Sequence, residues 1–310
     1  MTTYDRRLLE AVDSRIIGRR RELESTVAAL AAGRHLLLEG PPGTGKSTVL
    51  REIAGATGGE FEFVEGNAEL TPARLIGSFD PSAVLEAGYS PDVFIDGPLV
   101  SAMRVGALLY VEEINRIPEE TLNVLITVMS EGELHVPRLG RVVAESGFRL
   151  VAAMNPFDAV GTARISSAVY DRVCRLSVDY QDASDEMLIA ARGAELAAAP
   201  AQVIATVVSC VRATRDHPDL RVGSSVRGAI DLLLVMGELA QLRNAELTDP
   251  RVTLDACLLA LSGRVRVRDG SGRTAEDIVT ELWRQHFAPV DPDGDGDPGR
   301  GNSGDDPGKA

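Results

Sequence analysis

Nine consecutive residues do most to limit the folds open to this chain: Gly40-Pro41-Pro42-Gly43-Thr44-Gly45-Lys46-Ser47-Thr48, preceded by the apolar run His35 to Glu39 and followed by a helical pattern from Ser47 to Ala56. The spacing G-x-x-x-x-G-K-[ST], in the order strand, loop, helix, is that of a phosphate cradle. Its glycines let backbone N–H groups close on a β-phosphate without obstruction, and the helix that follows adds free N-terminal donors and the positive end of its dipole. Lys46 is expected to reach the β- and γ-phosphates and the Ser47 hydroxyl to take a place on Mg²⁺, so ATP and Mg²⁺ are the expected ligands. The chain has only two lysines, Lys46 and Lys309. A chance match to the pattern therefore has a probability on the order of a few in a thousand.

Around this loop, short apolar runs alternate with helical patterns up to about Tyr180, and helical periodicity alone continues to about Phe287. The runs His35 to Glu39, Phe61 to Glu65, Ala107 to Val111, Phe148 to Met154 and Cys174 to Val178 show little polar alternation, which predicts strands buried on both faces of a parallel sheet. The fold class is α/β: a P-loop parallel sheet flanked by helices, then a small all-α lid domain. The expected bounds are 1–180 for the nucleotide-binding part, 181–288 for the lid and 289–310 for an acidic Gly/Pro/Asp tail too polar to order. Two excursions interrupt the first part. Residues 77–99 carry Gly77, Pro81, Gly88, Pro91, Gly97 and Pro98 and read as loop-rich rather than as one helix. After a helix from Glu119 to Met129, residues 133–143 read as a hairpin turning near Leu139-Gly140.

The run Leu108 to Val111 delivers Glu112 and Glu113 to the carboxyl edge of the sheet, where ligands of open α/β sheets bind. Adjacent strand residues point to opposite sides, so Glu112 is assigned to the Mg²⁺ shell and Glu113 to the attacking water. Asn155, ending the run Val151 to Met154, is placed to orient that water beside the γ-phosphate.

The formal net charge of −14 argues against a surface that tracks nucleic-acid phosphates. Cys174, Cys210 and Cys257 lack metal-site spacing and are expected to be reduced and buried. No run approaches the roughly 18 apolar residues of a membrane span and no leader is seen, so a cytoplasmic location is expected.

Taken together, Gly40 to Ser47, Leu108 to Arg116 and Leu150 to Pro156 look like the Walker A, Walker B and sensor 1 motifs of AAA+ ATPases. The chain resembles the MoxR family over about residues 14–285, including Glu69 to Phe79, Ile95 to Val100 and the two excursions, which fall where that clade carries its helix-2 insert and pre-sensor-1 hairpin. The resemblance implies a ring oligomer, a hexamer, that remodels or matures a client protein such as a metalloenzyme, beside a partner with a von Willebrand A domain. It implies that Arg172, in Asp171-Arg172, is an arginine finger reaching the neighbouring subunit's nucleotide. Gly223 to Arg227 looks like the sensor 2 box, with Ser224 or Ser225 capping its helix and Arg227 facing the γ-phosphate. Ile16-Ile17-Gly18-Arg19 resembles the stretch along the adenine, which makes Ile17 and Gly18 binding residues. Two departures stand out. Glu112 occupies a position where the family usually has Asp, and Ile165 to Tyr170 differ from the usual residues before the finger. The first motivates an alternative, a nucleotide-gated assembly scaffold that hydrolyses little; a DNA-handling motor is a further alternative, opposed by the charge.

Overall fold

The computed structural model describes residues 4–156, 165–194 and 199–287. The expected tail, 289–310, lies outside them. The strands run in chain order β1 (His35–Glu39), β2 (Phe61–Glu65), β3 (Gly77–Phe79), β4 (Phe94–Asp96), β5 (Leu108–Glu112), β6 (Glu133–Val136), β7 (Gly140–Val143), β8 (Arg149–Met154), β9 (Val173–Ser177), β10 (Leu220–Val222) and β11 (Arg266–Val267). Five of them form one parallel sheet in the order β2-β5-β8-β1-β9. In the three central strands the side chains alternate between two apolar clusters. Leu109 and Val111 of β5 enter one, Leu108 and Tyr110 the other, and β8 divides in the same way. This double burial explains the unbroken apolar runs in the sequence.

The outer strands depart from that expectation. Of β2 only Val64 is buried, and β9 is mostly exposed because it closes the sheet with one neighbour. Cys174 is consequently exposed, against the expectation of a buried thiol, whereas Cys210 and Cys257 are buried in the helical part.

Both excursions acquire structure. Residues 77–99 form an antiparallel ribbon of β3 and β4 around a short helix, Pro81–Ala87. The ring of Phe79 meets those of Tyr89 and Phe94, each at 5.0 Å between centroids. β6 and β7 form the expected hairpin. Its turn contains Arg138 in the left-handed region at φ 67°, and the Arg138 guanidinium lies 3.8 Å from the centre of the Tyr89 ring. Hairpin tip and insert therefore touch through a cation–π contact.

The C-terminal helices Ala183–Gly193, Ala201–Asp216, Val226–Arg243, Pro250–Leu261 and Ala275–His286 share a third apolar cluster. A two-stranded ribbon of β10 and β11 lies among them, which helical periodicity could not foreshadow because the paired runs are only two or three residues long. No helix of the described residues is long and apolar enough to cross a membrane.

Candidate nucleotide site

The loop after β1 is anchored at both ends. Gly40 N donates to the Met154 carbonyl at 3.2 Å, and a methyl at Gly40 would come within 1.9 Å of the Val178 carbonyl oxygen. Gly43 and Gly45 lie at φ 76° and 84°, a region glycine enters without strain. Gly45 N-caps the helix Lys46–Thr57 with no side-chain hydrogen bond, so first-turn N–H groups face the loop without a capping oxygen. Thr44 is buried, its hydroxyl donating to the Pro41 carbonyl at 3.0 Å.

Lys46 is also buried, and its ammonium donates to the carbonyls of Gly40 at 2.9 Å and Pro41 at 2.8 Å. Burial lowers its pKa from 10.5 to about 8; Arg227 and Arg19 push the same way, and Glu112 pushes back. Ser47, next on the helix, donates to Glu112 Oε1 at 2.8 Å and lies 3.1 Å from the Tyr110 hydroxyl. Glu112 thus turns toward the loop from the end of β5, on the face it shares with Tyr110.

Glu113 does not obey the alternation expected of a strand. β5 ends at Glu112, and Glu113 adopts φ 53°, ψ 44° ahead of the 3₁₀ turn Ile114–Arg116. Its carboxylate pairs with Arg116 at 3.1 Å. The backbone fits closely here, since Gly66 N donates to the Glu112 carbonyl at 2.7 Å and a methyl at Gly66 would meet the Glu113 carbonyl at 2.3 Å. A left-handed glutamate costs on the order of 1–3 kcal/mol, and such strain gathers at working sites. Asn155 follows β8, with its carbonyl 3.5 Å from Asn115 Nδ2. It shares a cavity of about 190 Å³ with Pro41, Pro42, Arg215 and Arg221.

The helical part closes over the loop. A methyl at Gly43 would lie 2.2 Å from Ser225 Oγ and 3.8 Å from Arg227 Cδ. Ser225 takes the N-cap position of the helix Val226–Arg243 but makes no capping side-chain bond; neither serine therefore caps as expected. Ile16, Ile17, Thr48, Ile189, Arg227 and Ile230 line a cavity of about 330 Å³ beside the loop, walled largely by branched apolar side chains. Gly18 is not in its lining. At φ 66° it turns the chain, and a methyl there would strike Asp185.

Arg172 stands apart from this assembly. It precedes β9, whose Val173 pairs with His35 at the start of β1, so it lies at the opposite edge of the sheet from the loop. The five residues of β1, with the step into it and the step out to Gly40, separate the two levels by about 20 Å. Its guanidinium donates to Ser130 Oγ and to the Ala168 carbonyl, and it lines a cavity of about 630 Å³ with Arg34, Ser130 and Cys174.

Two contributions were not assigned from the sequence. Arg19, expected only as part of the stretch along the adenine, is buried, donating to Glu22 at 2.9 Å and to the Thr44 carbonyl at 2.8 Å, which ties the segment before the sheet to the loop. The Tyr110 hydroxyl was readable in principle, as one polar atom in a strand otherwise apolar through Val111.

A five-stranded parallel sheet in this order, with a glycine-rich loop leading from β1 into a helix, defines a P-loop nucleotide-binding fold. Residues 35–173 match the family described as AAA domain (dynein-related subfamily). The gas vesicle ATPase GvpN of Ancylobacter aquaticus is 30% identical over 280 residues, covering 82% of this chain and 73% of that protein. Protein SH1500 of Staphylococcus haemolyticus is 36% identical over 151 residues, 48% of this chain and 57% of its own length. Among solved structures, the Thermotoga maritima RuvB Holliday junction branch migration motor is similar with a TM-score of 0.54 at 18% identity, covering 81% of this chain and 72% of that one, a likeness of fold. The chain belongs to the AAA+ ATPases and is of the MoxR type.

Proposed function

We propose that the chain binds and hydrolyses MgATP at the loop Gly40 to Thr48 and, as a ring, converts that cycle into work on a client protein. The observation that carries the reading is the Ser47–Glu112 contact of 2.8 Å beside the cradle. Two oxygens on adjacent corners of a Mg²⁺ octahedron with 2.0–2.1 Å bonds are separated by about 2.9 Å. Ser47 Oγ and Glu112 Oε1 therefore suit a hard cation. Mg²⁺ would supply charge neutralisation on the transferring phosphoryl group.

The chain's own groups divide the remaining work. Gly43, Gly45 and the first turn from Lys46 present N–H donors to phosphates, and Lys46 exchanges its carbonyl partners for phosphate oxygens. Glu113, with Asn155 across the mouth, takes a proton from the attacking water and holds it in line. Arg227 approaches from the helical part, so nucleotide contact couples the lid to the sheet. Ile17 packs along the base in the cavity it shares with Ile189 and Ile230.

Glu113→Gln tests the reading, because amide for carboxylate keeps shape while removing the base. Nucleotide binding should be retained and turnover should fall by about 10²-fold. Turnover that is slow in the native protein and indifferent to the substitution would favour the second reading, a nucleotide-gated scaffold, which Glu112 in place of Asp suggests.

The Lys46 ammonium gives a pH dependence of definite sign. Below about pH 8 the lysine is already charged in the free chain, so affinity for nucleotide is flat there. Above that value the free chain has lost a proton that polyphosphate restores, so binding takes up a proton and affinity falls by up to about tenfold per pH unit. Fluorescent-nucleotide titrations from pH 7 to 10, with calorimetry in buffers of different ionisation enthalpy, measure both effects. Affinity that stays constant to pH 10 would contradict the assignment.

The hairpin 133–143 and the insert Phe79 to Phe94 are the surfaces we assign to the client. Leu85 and Tyr89 are exposed at 88% and 54%, and the Arg138–Tyr89 contact holds the two excursions side by side. The Ancylobacter relative is named a gas vesicle ATPase, which makes proteins of a gas vesicle one client class and a metalloenzyme another. A partner with a von Willebrand A domain and a hexameric, cytoplasmic assembly complete the proposal.

A further inference from the structure

Tyr110 is fully buried in the centre of the sheet, yet it carries a hydroxyl where β5 is otherwise apolar up to Glu112. A buried hydroxyl without a partner is costly. The partner here is not a neighbouring backbone group but Ser47 Oγ, 3.1 Å away, on a different element. Ser47 has one proton, and the 2.8 Å bond to Glu112 Oε1 uses it. Either hydroxyl could donate across the 3.1 Å contact, but with the Ser47 proton on Glu112 the phenol is the donor, facing both Ser47 Oγ and the Glu112 carboxylate. Of the two lone pairs on Ser47 Oγ, one accepts from Tyr110 and one is left. The strand period of 2 places Tyr110 and Glu112 on the same face, so β5 fixes donor and acceptor at once while the helix Lys46–Thr57 delivers the hydroxyl between them.

We infer that Tyr110 is a positioning residue for the cation: its hydroxyl pins the Ser47 side chain so that the one free lone pair faces the cradle. The inference rests on the proposed MgATP reading, and it concerns only how Ser47 is oriented. The ring of Tyr110 packs against Phe61 and Phe63 at 6.3 Å and 5.6 Å between centroids, and phenylalanine preserves those contacts. In Tyr110→Phe the Ser47 hydroxyl gains a free lone pair and rotational freedom, and the cation must order it on binding.

The experiment follows a fluorescent ADP analogue as Mg²⁺ is titrated, in the native chain and in Tyr110→Phe. The variant should require about fivefold more Mg²⁺ for half-maximal binding while its affinity for the analogue without Mg²⁺ stays the same, a split that loss of packing alone would not produce. In a Ser47→Ala background the same substitution should change the Mg²⁺ midpoint no further. An unchanged midpoint in Tyr110→Phe, or an equal shift with and without Ser47, overturns the inference. If the native chain itself shows no Mg²⁺-dependent binding, the proposed function fails instead. Should Tyr110→Phe not fold, ¹³Cζ-tyrosine in the native chain decides. The Tyr110 resonance, assigned by eliminating the other four tyrosines, should move when Mg²⁺ is added to the ADP-bound chain, and a resonance that stays in place overturns the inference.

Discussion

Lys46→Ala is expected to weaken nucleotide binding by at least about 100-fold without destabilising the fold. The loss follows from what the ammonium does. It lies between the Gly40 and Pro41 carbonyls at the narrow end of the loop, where two or more charge-assisted bonds to phosphate oxygens would each contribute about 1.5–3 kcal/mol. The absence of destabilisation follows from its pKa. A lysine held at about 8, down from 10.5, binds its proton less tightly in the folded chain than in the unfolded one. Stability therefore rises with pH between those two values, and at neutral pH a charged Lys46 opposes folding. Removing it should leave the melting temperature unchanged or raised, so the binding loss cannot be ascribed to unfolding. Equilibrium binding of a fluorescent ATP analogue, read beside thermal melts at pH 7, checks both halves; native-like affinity would remove Lys46 from the cradle.

The parts of this architecture that sequence made legible are those whose physics is local and periodic. β1, the loop and its helix form one short continuous segment, and double burial leaves apolar runs in β1, β5 and β8 that could not be solvent-facing strands. The excursions were legible as interruptions, because glycine and proline break helical periodicity, but their pairing depends on long-range contacts such as Arg138 on Tyr89. Reading failed where tertiary position overrides local pattern. Cys174 is apolar in sequence context yet exposed, because β9 happens to be the last strand of the sheet. Glu113 was assigned a direction from strand alternation, although the strand ends one residue earlier and the backbone turns left-handed. Ser225 occupies the cap position, but the approach of Gly43 places its hydroxyl against the loop. Arg19 is buried through contacts across 25 residues of sequence, to the Thr44 carbonyl, a separation no local rule spans.

Arg172→Ala is expected to leave nucleotide affinity within about twofold of native while lowering turnover by about 10³-fold, the scale of an arginine finger. Geometry forbids the residue from serving its own chain, since the parallel pairing of β1 with β9 puts it at the amino edge while Lys46 and Ser47 lie at the carboxyl edge. A side chain about 20 Å from its own loop could reach a transferring phosphate only in a neighbouring copy. In the isolated chain Arg172 is engaged by Ser130 and the Ala168 carbonyl, bonds it would exchange for phosphate contacts across a subunit boundary. Complementation decides between action within a subunit and action between subunits. An Arg172→Ala subunit retains Glu113, and a Glu113→Gln subunit retains Arg172. In equimolar mixed rings one interface in four joins the first as hydrolysing subunit to the second as finger donor, so about a quarter of native turnover should return from two inactive preparations. A mixture as inactive as its components, or a monomer that turns over at the native rate, would show that Arg172 does not act across the ring.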